Sequence, residues 1–279
     1  MKYADYKAVY VDKTTTLKAW QEKRPDDLLQ ASISSGKIKQ TAVEEQKTLL
    51  HLKQAFDVAT LREITAKVAM APVNIQKVWN LAYDHIQIAG KEYTDTSHYS
   101  PELHAIFFNL KNDTTSPVFK AYKDFFHEVG HLIDHWLGNH SSYLSVTYRG
   151  GILAKTLKGE ADCYIKRVRE KLKAETDFDA HQKISEEIMG ILPYSIQFEV
   201  SDIWHGASER KVRGISYHSD LNYWSKDGKS NIPKDAFAHM FGASIYNPES
   251  IEKIECYFPK SYNIFREMLD GFLKGDNKK

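Results

Sequence analysis

The feature that most constrains this chain is the run FFHEVGHLIDH at residues 125–135. Its apolar residues recur at the spacing of one face of an amphipathic helix, and histidines and acids occupy the opposite face. Residues four apart lie on the same side of a helix, about 6 Å apart along its axis, so His127 and His131 can direct two imidazoles at one metal ion. Glu128 is turned by about 100° from His127, where it can accept a proton from water activated by that metal. The pattern predicts a Zn²⁺ site on a buried helix, with Glu128 as general base.

The limits of this helix follow from its flanking residues. We expect it to begin near Ser116 or Pro117 and to reach Trp136, because Gly138 follows as a stop signal. Inside it, Gly130 costs about 1 kcal/mol of helix propensity relative to alanine. A glycine at that position predicts that another segment approaches the helix closely.

A third histidine, His135, extends the stripe by one more turn but cannot join the same ion. Eight residues separate it from His127 by about 12 Å along the axis, whereas zinc–nitrogen bonds are about 2.0–2.1 Å long. The third protein ligand must therefore come from elsewhere in the chain. The neighbouring Asp134 is expected to orient a ligand histidine or to cap local backbone.

Two downstream acids are candidates for that third ligand. Glu160, in LKGEADCYIKRV, lies on a predicted helix 29 residues after His131, a separation typical of zinc peptidases that take a glutamate from a following helix. Asp235, in PKDAFAHMF, lies much farther along the chain. It follows the stretch SYHSDLNYW, in which His218 and Tyr223 fall in a predicted loop, and such side chains in loops often belong to a site.

Composition excludes several other classes of function. Lys plus Arg number 38 against 37 Asp plus Glu, so no broad basic surface for nucleic acid is expected. No run approaches the roughly 18 apolar residues of a membrane span, and the first residues lack the apolar stretch of a secretory signal. The two cysteines, Cys163 and Cys256, lie far apart and outside any CxxC pattern. These features predict a globular, cytoplasmic protein with reduced cysteines and neither a membrane nor a nucleic-acid partner.

The remaining sequence indicates an α+β fold that is mostly helical. Apolar spacing predicts helices over 41–70 and 73–88, and AIFFNL at 105–110 predicts a short buried strand. A change in character near residue 95 predicts a helical N-terminal region, 1–95, followed by a second domain, 96–279. Further helices are predicted at GEADCYIKRVREKLKAE, HQKISEEIMGIL, DAFAHMFGASIY and PKSYNIFREMLDGFL, with one or two turns at 200–207 and a loop-rich excursion at 209–233.

Two segments, FFHEVGHLIDH and DAFAHMFGASIYNPESIEKIECYFPKSYNIFREML, together resemble zincin-type metallopeptidase domains of phages and prophages of Gram-positive bacteria. The stretch VSDIWHGASERKVRGISYHSDLNYW also resembles the family segment that ends in a histidine and a Tyr-Trp pair. The likeness covers roughly residues 95–270, and such domains sometimes accompany head-morphogenesis proteins. More distantly, the order of the motif and a later acid before a Phe-Ala pair is similar to the catalytic domain of anthrax lethal factor.

The resemblance implies a zincin-like fold with a small sheet and an HExxH active-site helix, and zinc-dependent hydrolysis of peptide bonds. The acid before the Phe-Ala pair is usually a zinc-binding glutamate in such domains, and here it is Asp235, one methylene shorter. Aspartate is itself a competent zinc ligand. The resemblance further implies that Tyr223 or His218 donates a hydrogen bond to the oxyanion formed at the scissile carbonyl. The strand at 105–110 is expected at the sheet edge, where an extended substrate adds as another strand.

The implied partner is a peptide or protein substrate, with phage structural proteins as further candidates, in the host cytoplasm or the phage particle. Two alternatives stay open. In one, the shorter Asp235 weakens the site, and the fold serves as a structural or binding component of a phage particle. In the other, the protein is a regulatory protease that cleaves a repressor-like partner and uses Glu160 as the third ligand.

Overall fold

The computed structural model describes residues 49–89, 97–115, 120–191, 194–214, 223–224 and 231–275. The predicted N-terminal region up to residue 48 lies outside these ranges, and so does His218. The described residues all fall within the unit that spans Leu49–Lys279. They are mostly helical and include one small mixed sheet, as the sequence predicts for an α+β protein.

The sheet has four strands of three residues each, in the order β1-β2-β4-β3. Strand β2 pairs with β4 in parallel, with Ile88 opposite Ile106, and the other two pairs are antiparallel. All three residues of β4 are buried, which confirms the buried strand predicted there. The strands are β1 Leu49–His51, β2 Gln87–Ala89, β3 His98–Ser100 and β4 Ala105–Phe107.

The prediction that AIFFNL forms the sheet edge is wrong, because β4 lies between β2 and β3. Among the described residues, the outer strand on that side is β3, with the sequence His-Tyr-Ser. Its polar residues carry no apolar alternation, so the pattern that predicts strands does not mark it. The sheet also contains strands from both sides of residue 95, so the chain on either side of that predicted boundary contributes to one structure.

Helices make up most of the rest of the described chain. The described α-helices up to and including the motif helix are α1 Leu52–Ala55, α2 Val58–Met70, α3 Val73–Ala82, α4 Leu110–Thr115 and α5 Lys123–Leu137. The others are α6 Leu144–Thr147, α7 Ile152–Leu172, α8 Asp177–Met189, α9 Tyr194–Ala207, α10 Asn231–Tyr246, α11 Pro248–Tyr257 and α12 Pro259–Lys274. Within the described ranges, none of them combines the length and apolar content needed to cross a bilayer. The cysteines Cys163 and Cys256 are both exposed and form no disulfide.

Several predicted helices are shorter than their apolar spacing suggests. The helix predicted over 41–70 is interrupted at Asp57, whose backbone is extended. The Asp57 side chain accepts a hydrogen bond from the Thr60 N–H and so caps the N-terminus of α2. The predicted helix 73–88 ends at Ala82, and Ile88 pairs in the sheet instead. The motif helix begins only at Lys123, because Tyr122 before it has a left-handed φ of 67°.

The apolar face of α5 anchors the motif helix in the core. Phe125 and Phe126 are fully buried. The Phe125 ring centroid lies 5.5 Å from that of Phe56, and the Phe126 centroid lies 5.8 Å from that of Trp79. Both distances fall in the range of favourable aromatic contacts. Because these rings face the core, the opposite face of α5 carries its histidines toward α10.

Candidate metal centre

The two motif histidines lie side by side on α5, as helical spacing predicts. Their Nε2 atoms are 3.2 Å apart, and the rings are nearly perpendicular at a centroid distance of 4.7 Å. The His131 side chain is 14% exposed, and His127 is also only partly buried. Two imidazole nitrogens therefore converge from one helix face.

Helix α10 brings a carboxylate to the same point. One Asp235 oxygen, Oδ1, lies 3.2 Å from His131 Nε2, and the residue is 1% exposed. One ligand atom each from His127, His131 and Asp235 can be chosen so that all three lie within 4.8 Å of one another. Of the two predicted candidates for a third ligand, the structure brings Asp235 to the histidines.

The convergence depends on an unusually close crossing of α5 and α10. A Cβ atom added at Gly130 would lie 2.7 Å from the Ala238 Cα, and one added at Gly242 would lie 3.0 Å from the His127 backbone nitrogen. Normal carbon–carbon contacts are about 3.5–4.0 Å. Glycine on each helix thus permits backbone contact, which confirms the close approach that Gly130 predicts.

The two separations that involve His131, and the chemistry of the three ligands, fit a zinc ion. Ligands at zinc–ligand bond lengths of about 2.0–2.2 Å in a tetrahedron lie about 3.3 Å from each other. The two measured nitrogen–nitrogen and nitrogen–oxygen separations around His131 are both 3.2 Å. Two imidazoles and one carboxylate leave a fourth position for water or substrate, the arrangement of catalytic rather than structural zinc sites.

The motif glutamate, Glu128, lies beside this group and is held from the sheet. Its Oε2 accepts a hydrogen bond of 2.8 Å from the Tyr99 backbone N–H in β3. Burial raises the pKa of Glu128 well above its ordinary value, and the carboxylates of Asp124 and Asp235 raise it further. The Tyr99 N–H and the Lys123 ammonium lower that pKa. A carboxyl group whose pKa lies above its ordinary value holds a proton more readily, which suits general acid–base chemistry.

A buried histidine–carboxylate pair that the sequence analysis did not assign to the site adjoins the centre. His239 Nε2 lies 2.8 Å from Asp202 Oδ2, and both side chains are almost fully buried. The His239 ring is also 4.4 Å from that of His127. The one available signal was spacing, because His239 follows Asp235 by four residues and so shares its face of α10.

Tyr223, predicted to act at the oxyanion, is also brought to the centre. Burial, together with the neighbouring Asp235 carboxylate, raises the pKa of Tyr223, so its hydroxyl lies beside that carboxylate. The residue is anchored on its other side, where Asn231 donates a 2.8 Å hydrogen bond to the Tyr223 carbonyl. His218, its predicted alternative, lies outside the described residues.

Glu160, the other candidate ligand, has a different task in the structure. Its carboxylate accepts hydrogen bonds from the backbone N–H groups of Lys260 and Ser261, at 2.7 and 3.0 Å, and from the Ser261 hydroxyl. It therefore caps the N-terminus of α12, where unpaired N–H groups favour an anion.

The remaining motif residues, Asp134 and His135, point away from the three ligands. Asp134 accepts hydrogen bonds from the N–H and hydroxyl of Ser145 at the start of α6, and burial raises its pKa to about 7. Of the two roles predicted for it, the structure shows the capping of local backbone. His135 Nδ1 lies 2.9 Å from the Tyr99 hydroxyl. This agrees with the prediction from helix geometry that His135 does not bind the same ion as His127.

Comparison with known proteins adds no relative to this description. No protein-family model, no curated protein and no solved structure matches the chain.

Proposed function

We propose that the protein is a zinc-dependent peptidase with a zincin-like fold, in which His127, His131 and Asp235 hold the metal. The observation that carries the proposal is the convergence of these three side chains from two crossing helices, directly beside the buried Glu128. A bound zinc ion would supply Lewis acidity, lowering the pKa of water and polarising a substrate carbonyl.

Glu128 is the group that moves the proton. Its Oε2 is held by the Tyr99 N–H, which fixes the carboxylate plane and leaves Oε1 to accept a proton from the attacking water. The raised pKa of Glu128 allows the carboxyl group to keep that proton and then to deliver it to the leaving amine. One side chain thereby acts as base and then as acid.

Two further side chains suit the stabilisation of negative charge. The Tyr223 hydroxyl lies beside the Asp235 carboxylate, so it is a donor next to the ligand group. His239, paired with Asp202 and next to His127, keeps an imidazole oriented at the inner side. A donor placed where the oxyanion develops is worth about 10²–10³ in kcat.

Strand β3 supplies a place for the substrate backbone. It is one of the two outer strands of the sheet among the described residues, and its Tyr99 N–H donates a hydrogen bond to Glu128. An extended peptide that adds along this edge would pass over the face of α5 that carries the histidines.

The test compares Glu128→Ala with Glu170→Ala, an exposed glutamate of α7 that serves as the matched control. Zinc-loaded proteins are incubated with unfolded casein and with a quenched-fluorescence peptide library, and zinc content is measured in parallel. We expect Glu128→Ala to keep its zinc and to lose cleavage by about 10²–10⁴-fold, with the control unchanged. Cleavage by Glu128→Ala at the parental rate would refute the proposed mechanism. Zinc-loaded parent that cleaves neither substrate would favour the structural or binding role.

A further inference from the structure

A second group of three histidines lies at the other end of the motif helix. His135 is in the last turn of α5, His140 follows that helix, and His104 is in the turn between β3 and β4. One ring nitrogen from each can be chosen so that all three lie within 4.8 Å of one another. We infer that this group is a second metal site, distinct from the first, that binds a transition-metal ion favouring imidazole, such as Zn²⁺, Co²⁺ or Ni²⁺.

The ring geometry needs only a small adjustment to hold an ion. The His104 and His140 rings stack at 4.2 Å between centroids, and His135 lies edge-on to both, at 5.6 and 5.5 Å. Nitrogen ligands of one tetrahedral zinc lie about 3.3 Å apart, so the nitrogens must close by about 1.5 Å at most. His104 is exposed, and its side chain can rotate without displacing the core.

The other two histidines are prepared in ways typical of metal ligands. The Tyr99 hydroxyl lies 2.9 Å from His135 Nδ1, which leaves the other nitrogen, Nε2, to bind an ion. Metal-binding histidines commonly have such a partner on the second nitrogen. His140 Nδ1 is buried, and it has no hydrogen-bond partner among the residues that the structure describes. A metal ion offers that nitrogen, or its ring, the interaction that the protein does not supply.

The backbone around the group is fixed, and its charge suits a cation. The His140 N–H donates to the His135 carbonyl at 2.9 Å, which ties the two ligands together. They lie at the C-terminal end of α5, where the helix dipole favours positive charge.

Tyr99 connects this second site to the first. Its backbone N–H holds Glu128, and its hydroxyl holds His135. An ion shared by His104, His135 and His140 would fasten the β3–β4 turn to the end of α5, and so clamp the edge strand that positions Glu128. The second site is therefore expected to be a structural clamp rather than a second reaction centre.

The experiment counts bound metal in tag-free, full-length protein dialysed against about 1 μM free Zn²⁺. Parent, His104→Ala, His131→Ala and the double variant are compared, with His181→Ala of α8 as the control for loss of a histidine elsewhere. We expect two ions per chain in the parent and the control, one in each single variant and none in the double variant. Equal zinc in His104→Ala and in the parent would overturn the second site. One ion in the parent that is lost in His104→Ala but kept in His131→Ala would support the second site while refuting the first.

A second variant tests the preparation of His135 without removing a ligand. Tyr99→Phe deletes the hydroxyl but keeps the backbone N–H on Glu128. The variant is made in the His131→Ala background, where only the second site remains, and Co²⁺ binding is measured by visible absorption. We expect Tyr99→Phe to weaken Co²⁺ binding by about 10–100-fold. An unchanged dissociation constant would contradict the assignment of Tyr99 as the residue that orients His135.

Discussion

Substituting Gly130 by alanine tests whether the metal centre depends on the crossing of α5 and α10. The new Cβ would lie 2.7 Å from the Ala238 Cα and 2.9 Å from the Ala238 carbonyl oxygen. Carbon–carbon contacts are normally about 3.5–4.0 Å, so the two helices must separate by roughly 1 Å. Both contacts are with backbone, so no side-chain rotation can relieve them.

The expected free-energy change is the sum of two opposing effects. Alanine improves helix propensity by about 1 kcal/mol relative to glycine, and overpacking at a rigid contact costs about 1–3 kcal/mol. The helical Gly159 of α7 provides the matched control, because a Cβ there meets nothing within 4 Å. The propensity gain is common to both variants, so Gly130→Ala should be about 1–3 kcal/mol less stable than Gly159→Ala.

The assay combines thermal unfolding with zinc titration. Each kcal/mol shifts the Tm of a unit of this size by about 2–4 °C, so the two variants should differ by several degrees, with Gly159→Ala above the parent. A 1 Å displacement of Asp235 from its 3.2 Å separation to His131 should also weaken zinc binding at the first site by about 10-fold or more. If Gly130→Ala matched Gly159→Ala in Tm and the parent in zinc affinity, the argument from close helix crossing would be wrong.

Two further predictions concern residues around the centre. Asp113 accepts hydrogen bonds from the Asp124 and Phe125 N–H groups at the start of α5, and burial, reinforced by Asp124, raises its pKa to about 7. Because the folded-state pKa of Asp113 is raised, its contribution to stability is present at low pH and is lost as pH rises. The parent should therefore lose stability relative to Asp113→Asn between about pH 4 and 7. Urea unfolding of both proteins across that range measures this difference, and a difference that does not change with pH would contradict the prediction. Tyr223→Phe removes the hydroxyl beside Asp235 and should reduce kcat by about 10²–10³-fold with zinc retained. An unchanged kcat would exclude Tyr223 from the reaction.

The motif helix could be predicted because its information is local. Helical spacing alone places His127 and His131 together and separates His135 from them, and the structure agrees on both points. Gly130 likewise signals a close approach through its cost in helix propensity, although nothing local identifies α10 as the approaching segment.

Features that depend on tertiary context could not be read from the sequence in the same way. The edge position of β3 was missed because three polar and aromatic residues have no strand pattern, and their pairing is fixed by β4. The separation of Glu160 from His131 along the chain is typical of a zinc ligand. In the structure, however, its carboxylate accepts hydrogen bonds from backbone N–H groups at the N-terminus of α12. The cluster of His104, His135 and His140 is invisible as a motif, because a turn between strands supplies one member.

The measurement that bears most directly on the proposed metal centre is the zinc content of Asp235→Ala beside that of Glu160→Ala. Both are made in the His104→Ala background, which removes the second site from the count. We predict that Glu160→Ala keeps one zinc per chain and loses only the stability of its α12 cap, about 1–2 kcal/mol, whereas Asp235→Ala loses its zinc. Zinc retained in Asp235→Ala and lost in Glu160→Ala would contradict the ligand set proposed for this protein.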